Sequence, residues 1–286
     1  MEQLEISADS LRRAVSGVSM EIDMPAQAMA SLSIAGNELA ENKEVTERLS
    51  NLAWFDGDRA STACSRLKGV LGNGPEGWRM LWCMLAAAGT YTHDEYERLD
   101  INDSVFRSTM GAFSRFVNEH QASYKRYGFD RDFWTWRQTS LRLFRLGELE
   151  YELTGERSHA DELRIQMHIP SDARLTPLQC DASLSMAHEF VSEHFPAWRN
   201  APVHCESWML SPALSTMLPR ESNLIRFQNR FRIERVDEQA QDWREWVFQR
   251  NDAPIADLPE HTSLQRAMKR HLLSGGTVGV GFGVLR

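Results

Sequence analysis

The stretch Leu149-Glu150-Tyr151-Glu152-Leu153, followed after a polar segment by Leu163-Arg164-Ile165-Gln166-Met167-His168-Ile169-Pro170, decides the fold. In both runs apolar and polar residues alternate, the two-residue period of a strand buried on one face. Two such runs around a polar connection (Thr154 to Asp161) predict an antiparallel hairpin. Upstream the period is helical. Pro75 to Gly89 starts with Pro and ends at Gly. Its Trp78, Leu81, Trp82, Leu85 and Ala86 recur at the spacing of one helix face. Further helices are predicted from about Asp103 to Tyr127, with Phe106, Met110, Phe113 and Val117 on one stripe, and from about Arg131 to Phe144. Before residue 50, where Met24-Pro25 interrupts the pattern, short helices are expected. The change of period near residue 145 is the predicted domain boundary, giving a helical domain over 1–145 and a mixed one over 146–286.

Downstream, Thr176-Pro177 opens a helix to about Phe195, with Leu184, Ala187, His188 and Val191 on one face. Strands are predicted for Val203 to Leu210, Asn223 to Val236, Trp243 to Gln249 and Val278 to Leu285. Helices are predicted for Pro212 to Leu218 and Thr262 to Ser274. Short links between neighbouring strands imply a mixed, largely antiparallel sheet with flanking helices, an α+β fold.

Composition narrows the function classes. The chain has 286 residues, 42% hydrophobic and 25% charged, with nine Trp and thirteen Phe, which describes a folded chain with material for a sizeable core. A formal net charge of −8 argues against a general nucleic-acid binder. The cysteines at 64, 83, 180 and 205 form no C-x-x-C, so neither a zinc ribbon nor a redox pair is signalled, and scattered thiols fit a reducing compartment. The start, Met-Glu-Gln-Leu-Glu, is not that of a secretion signal, and the apolar run Met80 to Ala88 has about half the length of a membrane span. A cytoplasmic protein without membrane, nucleic-acid or metal partners is expected.

Several blocks resemble bacterial acyltransferase-domain proteins with a helical N-terminal region and a GNAT-like C-terminal domain. They are Leu141 to Leu153 (LRLFRLGELEYEL), Met167 to Pro170, Cys205 to Leu214 (CESWMLSPAL), Ser222 to Phe231, Glu245 to Phe248 and Leu258 to Leu285. The resemblance implies transfer of an acyl group from acyl-CoA to a small amine or peptide. Such chemistry needs a diphosphate site, a base for the amine and an acid for the leaving thiolate.

The helix opening at Thr262 offers a diphosphate site, because first-turn amides and the helix dipole favour an anion. Thr262 with Gln265 fits a capping box, and Thr262, Ser263, Leu264 and Arg266 are the candidate CoA contacts. A well-capped core helix is the alternative. The Gly-containing phosphate loop of the resembled superfamily is missing from Asn251 to His261. Glu206 and Glu245, each on a predicted strand, are the candidate bases; a solvated or paired carboxylate is the alternative for both. Ser222 and Asn223 either orient substrate or cap a turn. In the resembled superfamily a Tyr commonly protonates the thiolate, but no Tyr follows Tyr151 here. These departures keep open a second reading, a non-catalytic ligand- or partner-binding protein on a degenerate GNAT scaffold.

Other patterns point to structure. Gly279, Gly281 and Gly283 share one strand face, suited to tight packing or a pantetheine arm. His204-Cys205 cannot pair, since adjacent strand residues face opposite ways. The segment His188 to His194 is not H-E-x-x-H, and Trp78-Arg79 replace the Lys-[Ser/Thr] that would follow Gly77 in a P-loop. Phe133-Trp134-Thr135-Trp136 reads as packing between domains or as a binding cage.

Overall fold

The computed structural model describes residues 6–72, 74, 76–155 and 162–286. The chain forms two compact units, Met1–Arg145 and Leu146–Arg286. No helix among the described residues is long and apolar enough to cross a membrane.

The first unit is helical: α1 (Ala8–Glu21), α2 (Ala26–Leu39), α3 (Lys43–Thr46), α4 (Gly57–Leu71), α5 (Trp78–Ala87), α6 (His93–Arg98), α7 (Asp103–Tyr124) and α8 (Asp132–Thr139). Of the short helices expected before residue 50, α3 has four residues, whereas α1 and α2 run to 14 residues each. Pro25 sits at the N-cap of α2, where its missing N–H costs nothing, so the break falls between the two helices. Met80 to Ala87 are all buried, so α5 is enclosed on every side rather than on one stripe. Pro75, expected to open it, lies outside the described residues. Helix α5 starts after Gly77, whose φ of 70° is the left-handed region. A Cβ there would lie 1.8 Å from the Phe129 carbonyl oxygen, so only glycine fits. The P-loop-like spacing is thus a turn into a buried helix. On α7 the stripe Phe106, Met110, Phe113 and Val117 is buried as read. The third helix ends early at Thr139: Leu141 takes φ 57° and the chain then runs into a strand.

The chain enters the second unit through β1 (Leu143–Leu146), which joins β2 (Leu149–Thr154), β3 (Arg164–His168), β4 (Val203–Ser207), β5 (Phe231–Asp237) and β6 (Val280–Leu285) in one sheet of order β1-β2-β3-β4-β6-β5. Strands β2 and β3 pair antiparallel, the predicted hairpin; residues 156–161 of its connection lie outside the described residues. Strands β3 and β4 are parallel, and β6 runs antiparallel to both β4 and β5. A parallel pair needs a crossover, and α9 (Pro177–His194) provides it.

Helix α9 packs on the face that carries Leu149, Tyr151, Met167, Cys205 and the glycines of β6. Its buried residues are Cys180, Ser183, Ala187, Phe190 and Val191; His188 is exposed. The Tyr151 hydroxyl lies 3.0 Å from Ser183 Oγ, and Ser183 Oγ also donates to the Leu146 carbonyl. Tyr151 is therefore a buried clasp between β2 and α9, with its ionisation pushed up by burial.

Three predicted strands change. Ser222 Oγ accepts from the Ile225 amide and starts α11 (Asn223–Gln228), preceded by α10 (Leu214–Met217); only Phe231–Asp237 is extended. Trp243 to Gln249 is a π-helical turn over Arg244–Phe248. That turn brings Trp243 and Phe248 into the same apolar cluster, their ring centroids 5.9 Å apart. Strand β4 stops at Ser207, whose hydroxyl accepts from the Met209 amide. Helix α12 (Ser263–Leu273) forms with its capping box complete. The glycines of β6 serve close packing: a Cβ on Gly281 would lie 2.5 Å from the Leu210 carbonyl oxygen.

Candidate active site

The second sheet face is polar over β2, β3 and β4 and apolar at β6, where Val280 and Phe282 join the cluster of Trp208, Met268 and Leu272. Direct cross-strand partners share a face, so Glu150 with His168, Glu152 with Gln166, Gln166 with His204, and Glu206 with Phe282 all lie on the side opposite α9. Glu150 and Glu152, on the polar side of the alternation, are 2% and 8% exposed. A carboxylate that deeply placed needs partners. For Glu152 one is His168, whose Nε2 lies 2.9 Å from Oε2.

His168 ends β3, and Glu206 lies at the same end of the neighbouring parallel strand β4. In sheets with parallel strands, ligands bind outside the carboxyl ends of those strands, where helices start. The dyad Glu152–His168, with Glu206 beside it, stands at that end of the sheet's parallel pair. Burial raises the Glu206 carboxyl above its ordinary range, as do Asp242 and Asp237, while Arg235 and His168 oppose them. His204, two residues earlier on the same face, is held below the usual imidazole range by burial and by Arg164. Cys205 points the other way into the core, where burial pushes its thiol up to about 12.

The chain leaves His168 through residues 169–176 and enters α9. Thr176 Oγ1 caps the helix by accepting from the Gln179 amide. Glu148 braces this link, accepting from the Arg174 amide at 2.8 Å and from Gln179 Nε2 at 2.9 Å. Among the described residues, the amides of Leu175, Thr176 and Leu178 donate to no partner. Three unpaired donors and the positive end of an 18-residue helix favour an anion here, against the carboxylate of Glu148, which already takes two donors of the same link.

The other predicted positions fare differently. At α12 the amides of His261 and Thr262 donate to Gln265 Oε1. Arg266 is turned onto the carbonyls of Glu260 and His261, and Lys269 onto the Leu258 carbonyl and the Glu260 carboxylate. Those cations tie the proline-bearing link to the helix. Ser263 and Leu264 keep their first-turn amides, but it is the C-terminal end of α12 that leads into β6. The first residues of β6 meet the Ser207 end of β4, and along the chain all of α12 and residues 274–279 lie between Thr262 and that junction. Glu245 belongs to the π-helical turn and not to a strand. Ser222 is the α11 cap and Asn223 the first residue of that helix, the capping alternative. Sequence reasoning missed His168 and Glu152. The available signal was the succession of strand, Pro170, capped helix and strand, which makes a parallel crossover.

Two family models account for nearly the whole chain: a GNAT-like C-terminal domain over residues 143–285 and an N-acyltransferase N-terminal domain over 15–141. The chain belongs to the GNAT-like N-acyltransferase family. Solved acyltransferases share the fold of this one. One, a mutant in complex with octanoyl-CoA, is 23% identical with a TM-score of 0.74, covering 96% of this chain and 88% of its own. A second, in complex with CoA and 10C-teicoplanin, is 22% identical with a TM-score of 0.69, covering 98% and 99%. A third, with decanoyl-CoA and teicoplanin, is 22% identical at 0.68, covering 98% and 100%. No curated sequence relative matches the acyltransferase.

Proposed function

We propose that this acyltransferase moves an acyl group from acyl-CoA to a small amine, with His168 as general base and the donor's diphosphate at the start of α9. The observation that carries the reading is the His168–Glu152 pair at the carboxyl end of β3, next to a helix start with unpaired amides. Solved acyltransferases with this fold hold octanoyl-CoA, decanoyl-CoA or CoA, which supports acyl-CoA as donor.

The chemistry follows from the placement. His168 takes a proton from the incoming ammonium, and Glu152 stabilises the imidazolium and fixes its orientation, as the third member of a nucleophile–base–orienter set does. The amine nitrogen bonds to the thioester carbonyl carbon and the carbon–sulfur bond breaks. The thiolate then receives the proton from His168, and the second proton that the nitrogen sheds on becoming an amide leaves to solvent. One imidazole thus takes the first proton and protonates the leaving group, with no tyrosine needed. Glu206, the base expected from the sequence, provides negative charge beside the ammonium. Its position and its raised pKa also permit it to take the first proton, which is the reading favoured if His168 proves dispensable.

The test mixes the protein with octanoyl-CoA and a panel of amines and follows free CoA thiol together with the mass of the N-acyl product. Wild type is expected to form product and His168→Gln to form at least a hundredfold less. Equal rates would remove His168 as base; no product and no CoA binding would favour the degenerate-scaffold reading.

A further inference from the structure

Strand β5 contains a bulge that decides where Arg235 points. Ile233 pairs with Gly283, and the next pair is Arg235 with Phe282, so Glu234 is the extra residue. Without the bulge, Phe231, Ile233 and Arg235 would share the α9 side of the sheet. The inserted residue turns Arg235 onto the face of Glu206 instead. Bulges recur beside active sites because they re-aim one side chain in this way.

Phe282 is the direct partner of both Glu206 on β4 and Arg235 on β5. The Arg235 guanidinium carbon lies 3.5 Å from the Phe282 ring centroid. A guanidinium flat on an aromatic ring has its N–H edges directed outward, the geometry for a bidentate oxyanion. Arg235 is exposed, and its guanidinium makes no hydrogen bond or close ion pair among the described residues. Its neighbour Arg232, by contrast, pairs with Glu234 at 2.8 Å. The result is a row on one sheet face: imidazole, carboxylate, aromatic ring, guanidinium. Glu206 and Arg235 stand two strand spacings apart, roughly 9.5 Å.

We infer that Arg235, seated on Phe282, anchors an oxyanion of a bound substrate while the Glu206 end of the row receives the acceptor's amine. This rests on the acyl-transfer reading of the same face. The anion is a carboxylate on the acceptor or a phosphate of the donor, and both present the same pair of oxygens to the guanidinium.

The experiment titrates CoA, pantetheine, 6-aminohexanoate and 6-aminohexanamide into wild type, Arg235→Ala and Arg235→Lys, after matched melting curves show the variants folded. A phosphate anchor predicts that Arg235→Ala weakens CoA tenfold or more and leaves pantetheine unchanged. A carboxylate anchor predicts the same loss for 6-aminohexanoate and none for the amide. Arg235→Lys, which keeps charge but not the planar fork, should fall between. Unchanged affinities for all four probes in Arg235→Ala, with CoA still bound, overturn the anchor and leave the acyl-transfer reading standing. Failure of wild type to bind CoA sinks the acyl-transfer reading itself, and the anchor with it.

Discussion

Replacing Glu152 by Gln keeps the shape of the side chain and removes its charge from His168. The pair is short, at 2.9 Å, and largely enclosed, with side-chain exposures of 19% for His168 and 11% for Glu152. A hydrogen bond to a charged group contributes about 1.5–3 kcal/mol, and at about 1.36 kcal/mol per tenfold this corresponds to a kcat loss of roughly 10- to 150-fold. The loss belongs to kcat because the imidazolium exists only once the proton has moved. KM for octanoyl-CoA should stay within about twofold. His168→Gln removes the base itself and should cost about a hundred- to ten-thousandfold. The decisive variant is the double one. Two residues acting as one unit are non-additive, so Glu152→Gln in the His168→Gln background should cost almost nothing further. Initial rates of CoA thiol release for the four proteins complete the cycle. Additive losses would refute the dyad, because each residue would then act without the other.

Other predictions concern packing and pH. Gly281→Ala forces a methyl against the Leu210 carbonyl and should destabilise by about 3 kcal/mol, the upper part of the overpacking range. Gly111→Ala, inside α7 with nothing within 4 Å of the added methyl, should stabilise by about 0.5–1 kcal/mol; urea unfolding reads both. Glu206 holds its proton more tightly folded than unfolded, so wild-type stability falls as pH rises from the ordinary carboxylate value through the higher folded one. Glu206→Gln should therefore melt higher than wild type at pH 7 and with it near pH 3; a lower melting point at pH 7 contradicts this. His204 is shifted the other way: its folded pKa is depressed, so stability is lost as pH falls below the ordinary imidazole value toward the folded one. His204→Gln should lose less melting temperature than wild type between pH 7 and pH 5, and an equal loss would show that another group sets the acid response.

Much of the fold was readable wherever one period dominated. The alternation in Leu149 to Leu153 and Leu163 to Ile169 fixed a hairpin, and the caps at Thr176 and Thr262 fixed the starts of α9 and α12. Reading failed where two periods fit the same letters. Ile225, Phe227 and Phe231 fall at alternate positions like a strand, but the Ser222 cap commits Ile225 and Phe227 to a helix turn. Trp243 and Phe248, five apart, suit a π turn, which no simple pattern announces. The site was harder still, because its residues meet through register. Glu206 was legible as a carboxylate on a strand. His168 lay in the most readable stretch of the chain, yet its partner is set by the pairing of β2 with β3. Arg235 was unreadable in principle from alternation, since the bulge reverses its face.

The central claim is that the donor's phosphates sit at the start of α9, beside His168, and not at α12. Hydrogen exchange of the acyltransferase with and without saturating CoA tests it directly. The account predicts slowed exchange at Leu175, Thr176 and Leu178, with Ser263 and Leu264 unaffected. Protection confined to Ser263 and Leu264 would contradict it.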